Sequence, residues 1–200
     1  MVVSGFRVAT LAVTALAVTA CSKKDNYAAT DTTAASSTMS ADTSAMAANT
    51  SGNWTDANIF ALLDEANAAD STAGSVAATK GTSSAVRDFG KRMMRDHHQL
   101  RVQGAALAKK LNITPAAPSD DPVTPAAQKE MDILNSTAKG KNFDKAYTDA
   151  EVDMHKAVLD LATKAAAQTQ NTELKNLIQN AAPVIQGHLN LAESIQQKLK

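Results

Sequence analysis

Three of the four histidines in this 200-residue chain stand where a packed helix asks for an apolar side chain. Between Val86 and Leu111, the residues Val86, Phe89, Met93, Leu100, Leu107 and Leu111 recur at sums of three and four positions, the stripe of an amphipathic helix. That ladder asks for a core residue near position 97, and the chain supplies His97. His155 stands beside Met154 and Val158, and His188 between Ile185 and Leu191, on two further stripes of the same kind. A buried imidazole must be given a partner. Two chemistries answer that need. In one, Asp96, Glu151 or Asp153, all close in sequence, hydrogen-bond the rings. In the other, the rings hold a ligand. Three imidazoles with Asp70, which lies next to Ala69 and Ala73 on an earlier stripe, form a donor set suited to Zn, Cu, Fe or Ni. Met93 and Met154 are core filler in the first reading, and in the second they bring thioethers that suit copper. His98 is expected to face outward or toward a neighbouring helix.

Whether these residues meet depends on the elements that carry them. The pattern predicts a first helix from about Thr55 to Lys80, capped by Thr55 or Asp56 and ended by Gly81, with Trp54 and Phe60 as large anchors. Gly74 and its Ser and β-branched neighbours weaken it intrinsically. A second helix runs from Ser83 or Ser84 to Leu111 and is stopped by Asn112-Ile113-Thr114-Pro115. After a proline-rich loop, Thr124 as N-cap and Pro125 open a short helix to about Ala138. A third long helix opens at Asn142 and ends near Gln170. A fourth starts at Asn171 or Thr172 and carries Pro183, where a kink is expected. Two short hinges and one long crossover, about Asn112 to Lys141, give the connectivity of an all-α, ferritin-like four-helix bundle over residues 54–200, with a short extra helix in the crossover. His155 lies fifteen residues before Gln170 and His188 eighteen after it, so at ~1.5 Å per residue they share a level to within about one turn. His97 is sixteen residues past Gly81 and Asp70 eleven before it, which sets Asp70 about 7–8 Å off level.

The chain ahead of the bundle reads as targeting. Arg7 precedes an apolar run from Val8 to Ala20, too short to span a bilayer, so residues 1–20 are expected to be a signal peptide. Val18-Thr19-Ala20-Cys21 resembles a bacterial lipobox, with Cys21, the sole cysteine, as the lipidated residue. Ser22 after it implies outer-membrane sorting, which places the protein in the periplasm. Residues 21–53 are rich in Ser, Thr and Ala without periodicity and are expected to be a flexible tether. With 20 basic and 20 acidic residues there is no electrostatic case for nucleic acid. One cysteine allows no internal disulfide. Phosphate-cradling glycine loops, a HExxH zinc motif and a nucleophile with a plausible base are all missing, as is Glu-x-x-His, which argues against a di-iron oxidase or an iron store.

Taken together, RDFGKRMMRDHHQL, NFDKAYTDAEVDMHKAV and APVIQGHLNLAESI resemble the exported bacterial family catalogued as domain of unknown function 4142. Phe89, Met93, Asp96 and His97 match its first block. Phe143, Asp144, Tyr147 and His155 match its second, and Pro183 and His188 its third. Asp70 stands where that family usually carries Glu, and Gly74-Ser75-Val76-Ala77 replaces a Gly-Lys-Leu-Ala-like stretch. The resemblance implies the bundle fold and no established activity. The expectation is therefore a tethered, non-enzymatic helical bundle that binds a metal ion or small ligand in envelope homeostasis or stress. The alternatives are a structural or partner-binding bundle with a histidine hydrogen-bond layer and, with less support, a metal-dependent redox enzyme. Dimerisation through the weak first helix stays open.

Overall fold

The computed structural model describes residues 52–199. The expected signal peptide, Cys21 and the tether as far as Ser51 lie outside the described residues. Five helices follow in order: α1 (Asp56–Lys80), α2 (Ser84–Lys110), α3 (Val123–Ser136), α4 (Lys141–Gln168) and α5 (Thr172–Lys198). Among the described residues there is no strand, and no helix is long and apolar enough to cross a membrane.

Local chemistry sets the helix ends. The Thr55 hydroxyl accepts from the Asn58 N–H at 3.2 Å while the Asn58 side chain accepts from the Thr55 N–H at 3.0 Å, a reciprocal cap. Asn171 accepts from the N–H groups of Glu173 and Leu174 at the start of α5. The short helix departs from expectation at its start. It begins at Val123 with Pro122 in the cap position, and Thr124 lies inside it. The Asp121 carboxylate performs the capping, accepting from the Val123 N–H at 2.7 Å and from the Thr124 N–H, so two free donors of the first turn are met by one side chain. α5 is one helix through Pro183.

Contacts between helix ends establish the topology. The N–H groups of Thr82 and Ser83, in the α1–α2 hinge, and the Thr82 hydroxyl all donate to Asp144 at the start of α4. At the far end, the Trp54 N–H donates to Gln168 at 2.9 Å and the Thr169 hydroxyl to Asp56 at 2.7 Å. α1 is thus antiparallel to α4 as well as to α2. Lys110 pairs with Glu173, and Asp96 with His188, so α2 is antiparallel to α5. α2 and α4 then run parallel, which the long crossover makes possible. The crossover lies along α1, with the Ala116 N–H donating to Ala57 O at 3.1 Å and the Lys80 ammonium to Leu134 O. This is the ferritin-like arrangement.

α1 and α2 touch backbone to backbone. A Cβ placed on Gly90 would lie 2.5 Å from Gly74 O and 2.9 Å from Ala78 N, and one on Gly74 would lie 2.7 Å from Gly90 O. Neither obstacle is a flexible side chain, so a methyl group must push the helices apart. Gly90→Ala is expected to cost about 3 kcal/mol in a urea unfolding series, at the upper end of overpacking penalties. A variant as stable as wild type would show that the crossing relaxes freely.

The core is in two parts, and the break falls at the same depth on every helix. The clusters divide α1 between Ala66 and Ala73, α3 between Val123 and Leu134, α4 between Val152 and Met154, and α5 between Ile185 and Leu189. On α2 one cluster ends at Met93 and the other resumes at Leu100. Asp70, His97, Glu130, His155 and His188 sit at or beside those breaks, all buried. A polar layer crosses the whole bundle.

Candidate metal centre

α2, α4 and α5 each send one imidazole into this layer. The ring centroids of His97, His155 and His188 form a triangle with sides of 5.6, 5.1 and 5.5 Å. Each ring is held at one nitrogen by an oxygen. His97 Nδ1–H donates to Asn67 Oδ1 at 2.8 Å. Asn67 in turn donates its own amide to Leu63 O, which fixes the orientation of that amide and hence the His97 tautomer. His155 Nδ1–H donates to the Glu151 carbonyl at 2.9 Å. His188 Nε2–H donates to Asp96 Oδ2 at 3.0 Å. The remaining nitrogens, His97 Nε2, His155 Nε2 and His188 Nδ1, are buried without a partner. A ring nitrogen from each of the three lies within 4.8 Å of those of the other two.

Three buried imidazoles with bare lone pairs, each braced on its outer nitrogen, is the pattern by which proteins orient histidine ligands of a metal. Burial and then the neighbouring rings drive the His97 pKa down to about 2. Burial, followed by His188, takes His155 down to about 4. His188 is also lowered, by burial above all, with Asp96 pulling the other way. The rings are therefore neutral, the form that ligates a cation.

Asp70 is not on that side of the layer. Its Oδ2 lies 3.5 Å from His97 Nδ1, behind the ring, and it groups instead with Glu151 and His155, whose ligand atoms lie within 4.8 Å of its own. Nor is Asp70 a turn away in height, as counting from Gly81 suggests. Cα–Cβ bonds tilt toward a helix N-terminus. The His97 side chain therefore leans toward the hinge and that of Asp70 away from it, and the two converge. Glu151 Oε2 lies 3.3 Å from His155 Nδ1 in the same way. Asp153 is exposed, as is His98, and Met93 and Met154 pack into the apolar clusters. An apolar cleft of about 510 Å³, lined in part by Asn67, Leu100, Val158 and Ile185, reaches the layer within a turn of each histidine.

Three participants are not singled out by the periodicity: Asn67, Glu130 and, as part of the layer itself, Glu151. Glu130 is buried on α3 between Val123 and Leu134. Tyr147, Glu151 and His155 follow one another at steps of four on α4, a readable signal of one inward face. Burial raises the carboxyl pKa of Asp70 and of Glu151 well above the usual range, and each is raised further by its acidic neighbours. Glu130 is pushed up by burial to about 7.

Fold and site together define a ferritin-like helical bundle with a histidine and carboxylate layer across its middle. The chain belongs to the family described as Domain of unknown function (DUF4142), whose model matches residues 39–195. Among solved structures it is similar in fold to one described as CopM in the Cu(II)-bound form, with a TM-score of 0.58 and 12% identity over 74% of this chain and 99% of that one. A search of curated proteins finds no match.

Proposed function

We propose that this protein binds one transition-metal ion of the Cu or Zn class through His97, His155 and His188, and holds it without turning over a substrate. The observation that carries this is the set of three buried imidazoles with a ring nitrogen apiece within 4.8 Å of the others, each ring keeping one unpartnered nitrogen beside one tied to oxygen. An imidazole set suits these metals. A bundle of the same fold being described in a Cu(II)-bound form supports the choice. Buried rings keep a bound ion away from bulk solvent, which suits holding it, and the adjoining cleft offers an approach.

In this reading residues 1–20 are a signal peptide, Cys21 carries the lipid, residues 21–53 are a tether, and residues 54–200 work in the periplasm on the outer membrane. The role is metal homeostasis of the envelope. The test is metal loading of the purified full chain. One equivalent of Cu(II) or Zn(II) per chain is expected. With free metal at about a hundred times Kd the bound state gains about 3 kcal/mol, a rise in melting temperature of roughly 5–10 °C that a chelator reverses. No uptake of either metal, with melting unchanged by chelator, would leave a purely structural histidine layer.

A further inference from the structure

Behind the imidazoles lies a second polar compartment. Asp70 on α1, Glu130 on α3 and Glu151 on α4 are buried, and among the described residues none of them pairs with a Lys or Arg. Both oxygens of Asp70 and Oε1 of Glu130 have no hydrogen-bond donor, and Glu151 has at most the Tyr147 hydroxyl for its two. The Tyr147 hydroxyl, fully buried one turn before Glu151, points its O–H at the Glu151 carboxylate and is electrostatically coupled to all three acids. An oxygen from each of Asp70 and Glu151 and a nitrogen of His155 lie within 4.8 Å of one another.

Each buried polar group left unpaired costs about 1–3 kcal/mol. Protonating the acids removes their charge but still leaves most of these oxygens without a donor. A cation answers both needs at once: α1 and α4 bring oxygens of Asp70 and Glu151 within 4.8 Å of each other, and Glu130 on α3 is close enough to act on both electrostatically. We propose that Asp70, Glu130 and Glu151 form a second cation site, distinct from the imidazole triad, for an oxygen-preferring divalent ion of the Mn(II) class. Carboxylates bordered by a single imidazole favour Mn(II), whereas three imidazoles favour Cu or Zn, so the two compartments sort ions by chemistry. His155 belongs to both groups, whereas His188 belongs to the triad alone and the Asp70 and Glu151 carboxylates to the acidic group alone, so variants at those three positions tell the two sites apart.

The experiment uses the metal-free full chain, loaded with one equivalent of Zn(II) and then titrated with MnCl₂ while the spectrum of free aqueous Mn(II) is followed by electron paramagnetic resonance. One Mn(II) per chain is expected to disappear from that signal with Zn(II) retained. Asp70→Asn and Glu151→Gln are each expected to weaken Mn(II) at least tenfold and leave Zn(II) bound. His188→Ala is expected to lose Zn(II) and keep Mn(II). The proposal is overturned if wild type binds no Mn(II), if Glu151→Gln binds it as tightly as wild type, or if Mn(II) enters only by displacing Zn(II). Should both acidic variants fail to fold, Glu130→Gln, on the crossover helix, takes their place beside the wild-type titration, and a wild type that binds no Mn(II) still overturns the proposal.

Discussion

Alanine at His97, His155 or His188 is expected to weaken binding of Cu(II) or Zn(II) by about 100- to 1,000-fold in each case, or about 3–4 kcal/mol at 1.4 kcal/mol per tenfold. The expectation comes from geometry. Three donors from three helices lie within 4.8 Å of one another. Losing any corner leaves a two-point ligand. The supporting groups should count for less. Asp96→Asn keeps an acceptor for His188 Nε2–H but removes the charge, and Asn67→Ala strips the brace from His97. Each is expected to cost about tenfold, the low end for residues that orient a ligand. Isothermal titration of the metal-free full chain and its variants measures the series. If the brace variants lose as much as the ring variants, then orientation rather than donation governs the site. If His155→Ala binds like wild type, the triad is not the ligand set.

Glu130→Gln is expected to stabilise the metal-free protein, and the gain should grow with pH. Glu130 ionises near 4.5 when unfolded and near 7 when folded, because burial disfavours its charge. Between those values the folded state holds the extra proton, so stability falls as pH rises. At 1.36 kcal/mol per pKa unit, the advantage of Gln over Glu increases by about 2–3 kcal/mol between pH 5 and pH 8. Comparing the same variant at two pH values cancels the fixed cost of burying an amide. The histidines slope the other way. His97 and His155 stay neutral when folded but charge near 6.5 when unfolded, so stability is lost as pH falls below about 6.5 toward their depressed values. Acid therefore acts on the rings and base on the carboxyls. Urea unfolding at pH 5 and pH 8, with chelator present, measures the difference. An advantage independent of pH would mean that Glu130 is not the strained acid.

The helices were legible because each carries a long stripe with a cap or breaker at its ends: Thr55 and Gly81, Asn171, and the prolines after Leu111. The histidine layer was legible because an imidazole interrupts an apolar ladder visibly, as His97 does between Met93 and Leu100. The acids were harder to read. Glu130 rides on a short helix in the crossover, where a single stripe of Val123 and Leu134 hardly distinguishes an inward glutamate from a solvated one. Glu151 reads from sequence alone as a histidine's hydrogen-bond partner, and only the fold reveals that its carboxylate shares a compartment with Asp70 from another helix. Counting residues sets Asp70 off level because it locates Cα atoms, whereas the atoms that do chemistry lean along the axis in opposite senses on antiparallel helices.

The glycine crossing of α1 and α2 sits one turn from Asp70 and two turns from His97. Where two main chains already touch, the gauge between those helices cannot widen without prising the pair apart, and a narrower gauge is barred by the same atoms. An ion lodged nearby must accept the spacing it meets. Discrimination by ionic radius would then be written into two residues that have no side chain, and enlarging either one should blur the choice of metal before it abolishes binding.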